Sequence, residues 1–236
     1  MPNDYFEFKQ FKISQSQCSQ KVSTDACLFG AWVAMHTTPA QRVLDVGSGT
    51  GLLMLMLAQK LEAEIEGIEI ALDCAKQAQE NIQASPWSSR LSVLHADARS
   101  YIFEKKYDLL ISNPPFYDNQ LQSPDHSKNI AWQSHELNLT ELTGIASNLL
   151  TTTGIFSILL PYARKEEILG LAATHSFYPA RILTVRHTLN HHPGRCMITF
   201  SKSESTVIEE SLEIRNEDGS YSDAFIDLLR DYYLFF

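Results

Sequence analysis

A chain of 236 residues, 44% hydrophobic and 20% charged, can bury a sizeable core and fits one globular domain with an added terminal segment. Its start, Met1-Pro2-Asn3-Asp4-Tyr5, has no basic segment leading into an apolar run, and no stretch approaches the roughly 18 apolar residues of a membrane span, so a cytoplasmic location is expected. The net charge of −9 opposes a polyanionic partner, but it is uneven: residues 161–202 hold six cations against two acids, and residues 203–236 nine acids against two cations.

The first forty residues are irregular. Phe6, Phe8, Phe11 and Ile13 alternate in strand fashion before a helix capped near Thr24 or Asp25, the pattern of an added flap. From Arg42 onward, short apolar runs bounded by turn residues alternate with helical periodicity, which predicts an open α/β sandwich around a mostly parallel sheet. Strands are expected at Arg42 to Val46, Glu64 to Ile68, Leu91 to His95, Tyr107 to Ser112, Gly154 to Leu160, Arg181 to His187 and Cys196 to Ser201. Helices should begin after Gly51, Ile70, Asn138 and Ala163, the first with a buried stripe of Leu52, Leu55, Met56 and Gln59. Asn190-His191-His192-Pro193-Gly194 reads as the turn of an antiparallel C-terminal hairpin at one end of the sheet. Phe225, Leu228, Leu229 and Tyr232 then share one helical face. Cys18, Cys27, Cys74 and Cys196 lie far apart without C-x-x-C spacing; no metal site is expected, and free packed thiols are.

Val43-Leu44-Asp45-Val46-Gly47-Ser48-Gly49-Thr50-Gly51 is a strand entering a glycine turn and then a helix, which lets a ligand approach bare backbone. A dinucleotide fingerprint needs its third glycine one residue later, and Asp45 would repel a pyrophosphate while attracting an ammonium or sulfonium. Glu69 follows the second strand at the distance where α/β nucleotide sites place an acid on ribose hydroxyls. Asp97, after the third strand, can accept from an adenine amino group or cap the following turn.

Asn113-Pro114-Pro115-Phe116 ends the fourth strand in a stiff, outward-aimed corner, because proline fixes its own φ and restricts the residue before it. An amine conjugated to a base is a poor nucleophile, so a site that methylates it should accept its N–H groups. The Asn113 side-chain oxygen and the Pro114 carbonyl suit that role, and Phe116 offers a stacking face. Reaching such an amine requires an unstacked base.

Taken together, Asp45-x-Gly47-x-Gly49-x-Gly51, Glu69, Asp97 and Asn113-Pro114-Pro115-Phe116 resemble the class I, Rossmann-like methyltransferases that modify amino groups. Phe6-Glu7-Phe8-Lys9-Gln10-Phe11, Lys21 to Trp32 and the segment Tyr221 to Tyr233 are similar to the bacterial tRNA1(Val) (adenine-N6)-methyltransferases in particular. The resemblance implies S-adenosylmethionine as methyl donor and a tRNA adenosine just 3′ of the anticodon as substrate. It also implies an N-terminal extension, 1–40, covering the active site of a methyltransferase domain, 41–236, with Thr24 and Asp25 near the cofactor. The sequence leaves the oligomeric state open, and a monomer is compatible with it. The motif leaves open a guanine-N2 methyltransferase of ribosomal RNA, a glutamine methyltransferase acting on protein, and a non-catalytic RNA-binding subunit; the intact Asp45, glycines and Asn113 argue against the last.

Overall fold

The computed structural model of the chain describes residues 3–37, 40–115 and 137–236. A two-stranded hairpin, β1 (Tyr5–Glu7) and β2 (Lys12–Ser14), precedes helix α1 (Thr24–His36). Then follow β3 (Arg42–Val46), α2 (Leu52–Ala58), β4 (Glu64–Glu69), α3 (Leu72–Gln83), β5 (Leu91–His95), β6 (Tyr107–Ser112), α4 (Leu139–Leu149) and β7 (Leu150–Pro161). The chain ends with α5 (Lys165–Thr174), β8 (Tyr178–Arg186), β9 (Arg195–Ser201), β10 (Ile208–Glu213) and α6 (Asp223–Leu229).

One eight-stranded sheet runs in the order β10-β8-β9-β7-β6-β3-β4-β5, and β9 alone is antiparallel to its neighbours. The expected mostly parallel sheet with an antiparallel hairpin is therefore present, but the hairpin is not the sheet's edge. The acidic strand β10 pairs in parallel outside β8, setting Glu210 against Arg181 at 2.9 Å and Glu213 against Arg186 at 3.5 Å. Of its residues only Leu212 is buried, so periodicity gave no hint of a strand, and its acids suit an exposed edge.

Strand residues alternate between two cores. Val43, Leu109, Ile111 and Leu159 face a layer that includes α1, α2 and α6; Leu44, Leu110, Phe156 and Ile158 face α4 and α5. Helix α2 is buried on every side because α1 covers the flank away from the sheet, so its expected stripe is a whole cylinder. Ser23 caps α1, its hydroxyl accepting from the Ala26 N–H at 3.2 Å, one residue ahead of the expected position. A capping box starts α4: Asn138 Oδ1 accepts from Glu141 N at 2.9 Å, and Glu141 Oε2 from Asn138 N at 3.0 Å. Phe225, Leu228, Leu229 and Tyr232 are buried together, with Tyr232 past the last residue of α6. Among the described residues no helix is long and apolar enough to cross a membrane.

Gly67 on β4 shows how tightly this sheet meets the turn that follows β3. A Cβ there would stand 2.6 Å from Met54 Sδ and 2.9 Å from Ser48 Cβ. Gly67→Ala should cost about 1–3 kcal/mol through overpacking. Urea unfolding reads it, and an unchanged midpoint would mean that the turn does not rest on bare strand backbone.

Candidate active site

The carboxyl ends of β3, β4, β5 and β6 border one cleft of roughly 190 Å³. Gly47 and Gly49 form its floor, Glu69 and Asp97 one side, Asn113 and Pro115 another. The fourth wall is Cys18, Ser19 and Gln20, from the segment between β2 and α1.

The floor follows from local backbone chemistry. Gly47, Gly49 and Gly51 take φ of +76°, +53° and +80°, a region closed to most side chains, and nothing lies within 4 Å of where a Cβ on Gly47 or Gly49 would be. The turn is tied down by Gly47 N–H and Ser48 N–H, which both donate to Ile68 O, and by Asn81 Nδ2, which donates to Thr50 O at 2.9 Å. Ser112 Oγ donates to Val46 O at 2.7 Å, joining the ends of β6 and β3.

Asp45 lies under this turn, fully buried, and neither carboxylate oxygen has a hydrogen-bond partner among the described residues. Burial, with the Glu69 charge adding to it, pushes its pKa up to about 8. A buried acid left unpartnered calls for a cation from outside the chain. The ammonium of a methionine moiety has that chemistry, so the residues present fit S-adenosylmethionine.

Glu69 is nearly buried. Its Oε2 accepts from Gly49 N and its Oε1 from Ala71 N, each at 2.9 Å, which fixes the carboxylate at the cleft and leaves it lone pairs for ligand hydroxyls. Asp97 lines the cleft with its carboxylate already engaged: Oδ1 accepts from Arg99 N at 2.9 Å and Oδ2 from an Arg99 guanidinium N–H at 2.7 Å. It also starts the turn that follows, its carbonyl accepting from Tyr101 N at 2.9 Å.

Asn113 and Pro115 line the cleft and Pro114 is buried behind them; Phe116 lies outside the described residues. Asp45 and Gly51 stand beneath the lining. Thr24 and Asp25 do not line the cleft: the Asp25 carboxylate meets Arg195 Nε at 3.0 Å, at the start of β9. Three contributors had no expectation attached. Gly67 makes room for Ser48, Ile70 is an exposed apolar residue at the cleft directly after Glu69, and Cys18 to Gln20 close it. An apolar residue in a turn between two acid-bearing positions was the one readable signal, at Ile70.

Comparison with known proteins agrees with this geometry. The family described as Methyltransferase small domain matches residues 28–141. A tRNA1(Val) (adenine(37)-N6)-methyltransferase of Bacteroides fragilis is 38% identical over 99% of this chain and 99% of its own. One from Tolumonas auensis is 38% identical over 97% of this chain and 96% of its own. In fold, a crystal structure of a predicted O-methyltransferase from Agrobacterium tumefaciens superposes with a TM-score of 0.69 at 19% identity, covering 88% of this chain and 96% of that one. With a buried acid under a glycine turn, an Asn-Pro-Pro corner facing it, and whole-length identity at this level, the chain is an S-adenosylmethionine-dependent methyltransferase and belongs to the tRNA1(Val) (adenine(37)-N6)-methyltransferase family.

Proposed function

We propose that this chain methylates N6 of adenine 37 in tRNA1(Val). The observation that carries the substrate is identity to proteins of that name across the whole length, N-terminal segment and C-terminal helix included. In this reading residues 1–40 are an extension covering the active site, 41–236 are the methyltransferase domain, and the protein works in the cytoplasm.

S-adenosylmethionine supplies a methyl carbon made electrophilic by its sulfonium. The chain's part is to hold and aim. Asp45 takes the ammonium, Glu69 the ribose hydroxyls, and Asp97 the adenine amino group while still bonded to Arg99; Gly47, Gly49 and Gly51 let that ligand meet backbone. The Asn113 side-chain oxygen and the Pro114 carbonyl accept the two N–H groups of the target amine, which favours a pyramidal nitrogen with a free lone pair. Phe116 is the assigned stacking face for the base. No side chain is assigned the departing proton, which passes to water. Thr24 and Asp25 support the rim, Asp25 by holding Arg195.

RNA phosphates need cations near this corner. Arg195, at the start of β9, is paired in the sheet with Pro161 at the end of β7, and burial pushes the adjoining Cys196 thiol up to about 12 while the charge of nearby Lys165 opposes part of that rise. Both stand at the carboxyl edge of β7, beside the end of β6 that carries Asn113.

Asn113→Ala should lower kcat by about 10²–10³ with donor affinity within about twofold; calorimetry showing the affinity lost instead would move Asn113 into cofactor binding. Asp45 carries its proton at pH 7 when the site is empty and must lose it to face an ammonium. Donor binding at pH 7 should therefore release a proton, measured by titration in buffers of different ionisation heat, and the release should fade above about pH 9. Asp45→Asn should abolish the release and weaken binding by about tenfold or more; wild-type binding without proton release would sink this placement. Lys165→Ala and Arg195→Ala should each reduce the salt slope of RNA binding by about one. Unaltered slopes would place the phosphates elsewhere. The substrate itself is tested by incubating the protein with labelled donor and bacterial tRNA, where label in N6-methyladenosine of tRNA1(Val) is expected and label in methylguanosine would refute it.

A further inference from the structure

We propose that Cys18 and Cys74 form a modification site, which a disulfide-class oxidant closes into a cystine that fastens the segment 14–20 across the cofactor cleft. The inference concerns regulation of the site described above and rests on reading that cleft as the donor's.

The segment is laid along one face of α3. Ser14 exchanges two backbone bonds with Asn81: its N–H donates to Oδ1 at 2.9 Å and its carbonyl accepts from Nδ2 at 2.9 Å. Ser16 Oγ donates to Gln77 Oε1 at 3.4 Å, and one step further along, Cys18 and Cys74 line the cleft together. Helix residues 81, 77 and 74 are spaced four and three apart, so the contacts descend a single face toward the N-terminus of α3. Beyond the last of them, Cys18, Ser19 and Gln20 become cleft wall, with Cys74 beside them. Cys18–Cys74 is thus the last fastening before the cleft.

The two thiols are unequal in the way that thiol exchange needs. Cys74 is partly exposed and lies in the first turn of a twelve-residue helix, and the neighbouring Cys18 thiol and the Ser19 backbone hold its pKa below the usual thiol value. Cys18 is buried, and the neighbouring Cys74 thiol together with burial raises its own. Cys74 is therefore the attacking thiolate. It displaces one glutathione thiolate from oxidised glutathione, giving a mixed disulfide on Cys74. Cys18 then gives up its proton and attacks the Cys74 sulfur, displacing the second glutathione. The two cysteines lose two hydrogens and the oxidant leaves as two glutathione thiols. A cystine requires Cβ atoms roughly 3.5–4.5 Å apart, and rotation about each Cα–Cβ bond then brings the two sulfurs together. Cys27 and Cys196, buried with thiols pushed up to about 12, are internal controls.

The test treats the reduced full-length protein with oxidised glutathione, maps its peptides without reduction, and follows the release of labelled S-adenosylmethionine. Expected are a Cys18–Cys74 cross-link with Cys27 and Cys196 still free, and donor release slowed about tenfold or more until dithiothreitol restores it. In Cys74→Ser the release rate should not respond to oxidant, whatever its basal value. Persistent thiols or separate glutathione adducts at 18 and 74 overturn the site, and a cross-link that leaves release unchanged overturns its control of the cleft. Failure of the reduced protein to bind donor would indict the cofactor reading alone, because the peptide map still decides the cross-link.

Discussion

Removing a carboxylate from water without giving it a partner costs several kcal/mol. Asp45 faces that cost at the end of β3, with no exposed surface, no bond to either oxygen among the described residues and the charge of Glu69 adding to it, and so its pKa is pushed up to about 8. Its strand neighbours Val43, Leu44 and Val46 show what the fold alone would choose. In the proposed reading an ionised acid there gains its stabilisation from the donor's ammonium, a cation that the chain does not contain. The rest of the site is arranged to admit that cation: glycines at positive φ present backbone instead of side chains, and Ser112 and Gly67 hold the turn against the sheet so that the acid cannot swing out to water.

The wall opposite the sheet is made differently. Around Cys18 to Gln20 the chain has no strand or helix of its own, so its position depends on side chains that reach across from α3. Asn81 makes the widest connection: one buried amide bonds Ser14 through both its N–H and its carbonyl, and also the carbonyl of Thr50 in the glycine turn. Segment, helix and turn are thereby coupled through a single side chain. A buried amide of this kind is stabilising only while all of its bonds are made, so a shift of the segment is felt at the floor of the cleft.

The inner part of the fold was legible because two signals coincide there. Strands β3, β5 and β6 begin and end at the residues where apolar runs meet turn chemistry, and α4 starts where Asn138 and Glu141 can cap each other. The acids and glycines at those strand ends were legible for the same reason. What escaped lacks such coincidence. Strand β10 buries one side chain and is held by pairing with β8 and by ion pairs to its arginines, none of which leaves a period in its own sequence. The wall at Cys18 depends on partners more than fifty residues away, and Gln77 and Asn81 betray it only as polar residues at buried positions of a helix. Asp25 marks another limit, since its ion pair with Arg195, 170 positions away, leaves no pattern in the sequence.

Charge illustrates why a total taken from sequence misleads about an RNA substrate. Much of the acidity lies in the last 34 residues, and there β10 spends two of its acids on Arg181 and Arg186 within the sheet. At physiological salt a charge is felt over about 8 Å, so a phosphate arriving at the end of β7 responds to the groups around it and hardly to the net −9. Those groups include Lys165 and an Arg195 whose partner Asp25 is itself partly exposed. An exposed pair of this kind is worth less than about 1 kcal/mol, so a phosphate can replace Asp25 on Arg195 at little cost. In the proposed reading the pairing orients the guanidinium beforehand while leaving it open to exchange, so that an acidic protein can present a cation to RNA beside Asn113 without being basic as a whole.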